Sequence, residues 1–140
     1  MAGKKHEALL KKYYDRVTKG DAAAIDEVLD SNVVVRTPAS SNALKGRKQY
    51  RDMITEYNKA APTLKISVDD VTENGDEVTV RWTARFKHEG KFKDHDATGK
   101  EGSLSGVDEI KIRNGKIVEI ENKMDLEPVE KKLGFKPTVD

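Results

Sequence analysis

Apolar and polar positions follow two different periods along this chain, with helical spacing up to about residue 63 and alternation from Leu64 onward. Leu10, Tyr13, Tyr14 and Val17 recur at i, i+3, i+4 and i+7, with Lys11, Lys12, Asp15 and Arg16 between them. That stripe predicts an amphipathic helix with one buried face. Gly20 ends it, and Asp21 is placed to cap a second helix over residues 22–29, where Ile25, Val28 and Leu29 are apolar. Residues 32–37 are rich in β-branched side chains and read as a short strand that stops at Pro38. A loop over residues 39–43 leads to a third helix, residues 47–59, with Tyr50, Ile54 and Tyr57 on one side.

From Leu64 the period is two. Leu64, Ile66 and Val68 alternate with polar residues, and Glu73-Asn74-Gly75-Asp76 is a hairpin signal. Val78, Val80, Trp82, Ala84 and Phe86 then share one face, opposite Thr79, Arg81, Thr83 and Arg85. A polar, glycine-containing connection covers residues 88–102. Leu104, Gly106, Asp108, Ile110 and Ile112 resume the alternation, and Asn114-Gly115 turns the chain into a strand carrying Val118, Ile120, Asn122 and Met124 on one phase. Asp125 is placed to cap a short closing helix that ends at Gly134.

Helices followed by strands with one apolar and one charged face make an α+β pattern. The expected architecture is a cone of curved, mixed or antiparallel sheet wrapped around the N-terminal helices, with an internal pocket. The charged face, with Arg81, Arg85, Glu109, Lys111, Glu119, Glu121 and Lys123, faces water; the helices must cover the other. No repeat or linker divides the chain, so residues 1–140 read as a single domain.

Charge removes several functions from consideration. The 26 basic and 25 acidic residues nearly cancel and are interleaved, so no basic stripe attracts nucleic acid. The absence of cysteine excludes disulfides and thiolate chemistry. The opening residues are basic, but the amphipathic LLKKYYDRV that follows is no signal core, and no apolar run nears the roughly 20 residues of a membrane span. A soluble, cytoplasmic protein without nucleic-acid or membrane partners is expected, and its charged outer face predicts a monomer or a weak homodimer.

The order of parts resembles a known family. Tyr13-Tyr14 before Gly20-Asp21, the stretch RWTARFKHEGKF, then TGKEGSLSGVDEIKIRNGKIVEI and a closing D-L-x6-L-G are similar to the SnoaL-like polyketide cyclases. Those belong to the nuclear transport factor 2-like superfamily, with ketosteroid isomerase, limonene epoxide hydrolase and scytalone dehydratase. The resemblance spans roughly residues 8–135 and implies catalytic groups projecting into a cone-shaped cavity. It also implies a departure. The position of the cyclases' acid-base aspartate on the last strand is Asn122 here, where limonene epoxide hydrolase also has an aspartate; an asparagine orients substrate in scytalone dehydratase. The isomerase's general base precedes a proline, and Thr37 stands there. Its two oxyanion-binding groups match Tyr13 and Asp108. The electrophilic half is present and the usual bases are missing.

Asp108 stands out without any family argument, because it falls on the apolar phase of its strand, where a bare carboxylate is costly. Burial raises such a pKa, and a protonated carboxyl can donate to a developing oxyanion. Tyr13 and Tyr14 lie on the buried stripe, and Tyr13 is expected to meet Asp108 inside the cone. Asn122 faces inward as an orienting amide. His88 continues the Trp82–Phe86 face toward the cavity mouth, with a pKa suited to moving protons; the alternative is a solvated rim histidine. Trp82, Phe86, Ile54, Tyr57, Met124 and Tyr14 are expected to line the wall against substrate.

Asp94-His95-Asp96 lacks converging geometry and predicts no metal site. Gly99, Gly102 and Gly106 do not open a helix, so they read as bulges or a lid connection rather than a phosphate cradle. Asp125 is explained by capping. Two functions fit these residues. One is a cofactor-free cyclase, isomerase or dehydratase acting on a small hydrophobic carbonyl compound, with Asp108 and Tyr13 on the oxyanion, Asn122 orienting and His88 moving the proton. The other is a non-catalytic small-ligand-binding module or engineered scaffold of the same fold.

Overall fold

A computed structural model of the chain describes residues 5–139; the first residues of the basic opening, 1–4, and Asp140 lie outside the described residues. Helix α1 (Glu7–Asp15) buries Leu10, Tyr13 and Tyr14. The apolar stripe outruns it, so Val17 is held in a 3-10 turn, Val17–Lys19, closed by Gly20 at φ +81°. Asp21 caps α2 (Ala22–Val28) by accepting the Ala24 N–H at 3.2 Å. The chain then runs straight into β1 (Leu29–Arg36), earlier than the β-branched stretch suggests, because fully buried Leu29 already pairs with Ile117. The two-residue β2 (Leu44–Lys45) leads to α3 (Gly46–Ala60), which buries Tyr50, Ile54 and Ala60.

Strands β3 (Lys65–Asn74), β4 (Glu77–Lys87), β5 (Glu101–Arg113) and β6 (Lys116–Met124) follow, with α4 (Glu127–Leu133) at the end. Asn114 and Gly115 both have positive φ, +53° and +76°, the turn geometry whose twist suits a two-residue hairpin. Asp125 accepts the Glu127 N–H at 3.0 Å as α4 begins, and Gly134 at φ +88° ends it.

The six strands form one open sheet in the order β2-β1-β6-β5-β4-β3. It is mixed. Every neighbouring pair is antiparallel except β1 and β6, which are parallel. No turn joins those two; α3 and the meander β3 to β6 carry the chain back to the same end before it pairs.

Val78, Val80, Trp82 and Ala84 of β4, with Ile110 and Ile112 of β5, are buried on the face the helices cover, and Arg81, Arg85 and Lys111 are exposed. Apolar residues on two strands depart from the alternation. On β3, an edge strand of the sheet, Val68 and Val71 are 44% and 36% exposed although they pair with buried Trp82 and Val80. On β6 Ile117 and Ile120 are buried and Asn122 and Met124 face inward, while Val118 is half-buried, because a shift beside Lys111 leaves it without a direct partner on β5.

Candidate functional site

Between the inner sheet face and the helices lies a cavity of about 210 Å³. Every candidate from the sequence lines it: Tyr13 and Tyr14 from α1, Ile54 and Tyr57 from α3, Trp82, Phe86 and His88 from β4 and its end, Asp108 from β5, and Asn122 and Met124 from β6. Among the described residues, Asp108 is the only Asp, Glu, Lys or Arg that lines the cavity.

Alternation puts Asp108 inward, and the sheet register supplies its neighbours. It pairs across strands with Val80 on one side and Asn122 on the other, and it is 5% exposed. The Asn122 amide donates to Oδ1 at 2.8 Å and the Tyr14 hydroxyl to Oδ2 at 2.5 Å. Thr37 Oγ1 in turn donates to Asn122 Oδ1 at 2.7 Å and accepts the Ala39 N–H at 3.2 Å. All these donors run toward Asp108, the arrangement that suits an ionised carboxylate. The Trp82 indole N–H also acts on the carboxylate electrostatically, yet it lies outside hydrogen-bond geometry, so Nε1 is buried without a partner among the described residues.

These forces oppose one another. Burial pushes the Asp108 pKa up, and the hydrogen bonds from Tyr14 and Asn122 and the nearby Trp82 pull it part of the way back, so it stays above an aspartate's ordinary 3.8. The tyrosines remain neutral donors. Burial, then the neighbouring Tyr50, raises Tyr13 far up; burial, then the Asp108 charge, raises Tyr14; burial also raises Tyr50.

The expected meeting of Tyr13 with Asp108 is not what the fold makes. Adjacent residues on a helix point about 100° apart. Tyr14 therefore takes the carboxylate, while the Tyr13 hydroxyl forms a short hydrogen bond with Tyr50. Their rings stand edge to face, centroids 4.8 Å apart. In a hydroxyl pair one member donates to the other, and the accepting member keeps its own proton for a third group.

His88 is no solvated rim residue. It is 2% exposed, with Nδ1 3.0 Å from Thr98 Oγ1 and 3.2 Å from the Thr98 N–H. His95, from the Asp-His-Asp run, stacks on Phe135 with centroids 3.8 Å apart. Among the described residues no group of three or more His, Asp or Glu gathers to hold a metal.

Gly102 and Gly106 are not bulges either. They pair directly with Phe86 and Trp82, whose rings lie over them. Tyr50, Phe92 and Phe135 also line the cavity, beyond the wall residues expected from sequence. The helical stripe of α3 marks Tyr50 as buried; nothing local marks the two phenylalanines, which reach the cavity from a loop and from the segment after α4.

The raised pKa of Asp108 makes a stability prediction. A carboxyl whose folded pKa exceeds its unfolded one contributes stability that is full below the unfolded value and lost as pH rises through the folded one. In Asp108→Asn that pH dependence disappears. The stability of the variant relative to the parent should therefore increase as pH rises from about 3.5 and level off once Asp108 is ionised. Urea denaturation of both proteins across this range tests it; a flat or falling difference would contradict the raised pKa.

An open mixed sheet folded over helices around an apolar cavity, with polar groups converging from several elements, defines the nuclear transport factor 2-like class. Within it, the chain belongs to the SnoaL-like domain family, whose sequence model matches residues 10–120. Solved structures agree on the fold. A candidate SnoaL-like polyketide cyclase from Jannaschia sp. CCS1 superposes with a TM-score of 0.81 at 19% identity, over 94% of this chain and 93% of that one. AclR of Streptomyces galilaeus, a candidate hydroxylase, gives 0.79 at 24% identity, over 93% and 96%. IdmH of Streptomyces antibioticus, a candidate polyketide cyclase, gives 0.78 at 21% identity, over 93% and 99%. No curated protein matches the chain by sequence. No helix among the described residues is long and apolar enough to cross a membrane.

Proposed function

We propose that the cavity binds a small, neutral, apolar ring compound bearing a carbonyl, and that Asp108 moves a proton on it in a cofactor-free cyclisation, isomerisation or dehydration. The observation that carries this is the buried Asp108 carboxylate, held by two neutral donors in an otherwise uncharged cavity and raised in pKa by burial. Such a group is a stronger base than a solvated aspartate. An anionic ligand would meet the Asp108 charge and find no lysine or arginine among the described lining residues. An apolar cavity of ~150 Å³ accepts benzene, so this one has room for a fused bicycle.

In the proposed step Asp108 takes a proton from the carbon beside the carbonyl. The C–H pair moves into a new C=C bond, and the carbonyl π pair moves onto oxygen. That oxygen accepts the free proton of the Tyr13–Tyr50 pair as a hydrogen bond, and the second tyrosine polarises the donor. Asp108 then returns its proton to the rearranged carbon or to a departing oxygen. Tyr14, Asn122 and Thr37 hold the carboxylate in place. This differs from the expectation in which Asp108 was an oxyanion donor, because both its oxygens already accept hydrogen bonds.

The competing reading is a binding module of the same fold. The presence of Asn122 at the cyclases' usual base position favours it. Deuterium exchange at the α-carbons of 2-tetralone, followed by NMR in D2O, separates the two. Saturable acceleration by the protein supports the proposed chemistry; binding with exchange at the buffer rate supports the module.

A further inference from the structure

The proton-transfer scheme leaves His88 without a task, and the structure gives it features of a second polar subsite. A backbone N–H can only donate, so the Thr98 N–H at 3.2 Å makes His88 Nδ1 an acceptor. The proton of the neutral ring is thereby assigned to Nε2. Nε2 is buried and has no partner among the described residues, on a residue that is 2% exposed and lines the cavity. The backbone that carries the ring is also pinned. The His88 N–H donates to Lys100 O at 2.9 Å, and the Gly99 N–H donates to His88 O at 2.8 Å.

His88 is eight residues beyond Val80, the cross-strand partner of Asp108. At ~3.3 Å per residue the two polar groups are far apart along the strand, so they address different ends of the cavity. The surroundings of His88 are aromatic. Phe135 stands against it at 5.6 Å, and Phe92 is stacked between Phe135 and Tyr57 at 6.0 and 5.5 Å.

We infer that His88 Nε2–H, fixed by Thr98 inside this aromatic collar, is a specificity-determining donor that takes an acceptor oxygen at the end of a neutral, planar ligand remote from Asp108. The inference rests on the reading that the cavity takes a neutral ligand, and it adds the ligand's second polar group: a ring ketone, quinone or lactone oxygen rather than a carboxylate or a second hydroxyl donor.

A matched probe pair tests this: 2-acetylnaphthalene, which carries the acceptor, and 2-ethylnaphthalene, which lacks it. By calorimetry, His88→Leu should weaken the ketone about tenfold and leave the hydrocarbon within about twofold, the size expected for one buried hydrogen bond. His88→Gln keeps a donor and should recover most of the ketone affinity. In the parent protein, the NMR resonance of the Nε2 proton should move on adding the ketone and stay in place with the hydrocarbon. Equal losses for both probes in His88→Leu, an unmoved Nε2 proton, or no binding of either probe would overturn the subsite. Asp108→Asn separates the two ideas, since it should abolish α-carbon exchange while leaving the ketone's dependence on His88 intact. Absence of exchange in the parent protein with the His88 effect present would remove the proposed chemistry and retain the subsite.

Discussion

Asp108→Asn is expected to slow the protein-dependent α-deuteration of 2-tetralone by at least ~100-fold, the lower range for losing a general base. An amide accepts no proton from carbon at neutral pH, and among the described residues no other Asp, Glu, Lys or Arg lines the cavity to replace it. The parent rate should rise with pH as Asp108 ionises, with an apparent pKa above 3.8, because burial disfavours the charge. Tyr14→Phe removes the hydroxyl that donates to Oδ2 at 2.5 Å and should cost about tenfold, since Asn122 still holds the other oxygen. Tyr13→Phe acts on the other side of the reaction. It breaks the hydroxyl pair with Tyr50 and weakens the oxyanion donor, so its loss should multiply with that of Tyr14→Phe. Stopped-exchange NMR on the parent, the three single variants and the Tyr13→Phe/Tyr14→Phe double variant measures all of this. An Asp108→Asn protein that folds and exchanges at the parent rate would dismiss Asp108 as the base.

Gly106→Ala is expected to destabilise the fold by about 2 kcal/mol, within the usual range for overpacking. A Cβ built there stands 2.3 Å from Trp82 Cζ2 and 2.8 Å from Cε2, so the indole must leave its place over the strand. Trp82 is 7% exposed and packed into the core cluster, which gives the ring little room to move. Its displacement would also withdraw the N–H that acts on Asp108. The variant should therefore lose exchange activity as well as stability. Trp82→Leu removes the ring that the new Cβ meets, so Gly106→Ala should cost clearly less in that background than alone. Urea denaturation of the four-protein cycle checks the coupling. Equal costs in both backgrounds would show that the glycine serves some purpose other than seating the indole.

Much of the site was legible because a two-residue period assigns faces without tertiary information. Asp108 on the phase of Ile110 and Ile112 had to point inward, and so did Trp82 with Val78, Val80 and Ala84; all of these are buried. The helical stripe marked Tyr13 and Tyr14 in the same way, and the Asn-Gly signal placed the β5–β6 turn where positive φ occurs. These features depend on local backbone geometry, which the order of residues sets directly.

Partnership was another matter. A stripe reports that two adjacent tyrosines are buried, and it carries no information on which faces the carboxylate; only the docking of α1 on the sheet gives Asp108 to Tyr14 and Tyr13 to Tyr50. A glycine in a strand looks the same whether it makes a bulge or seats a ring on the neighbouring strand, and the β4–β5 register chose the ring. The burial of His88 came from residues 98–100 folding back over it, a contact between polar loop residues with no period to announce it. By itself, then, the sequence determined the α+β class, the turns and the inward-facing residues, because these follow from dihedral preference and period. Tertiary structure decided the parallel β1–β6 pair, the hydrogen-bond partners of Asp108 and the closure around His88, because each brings together groups whose separation along the chain no local rule spans.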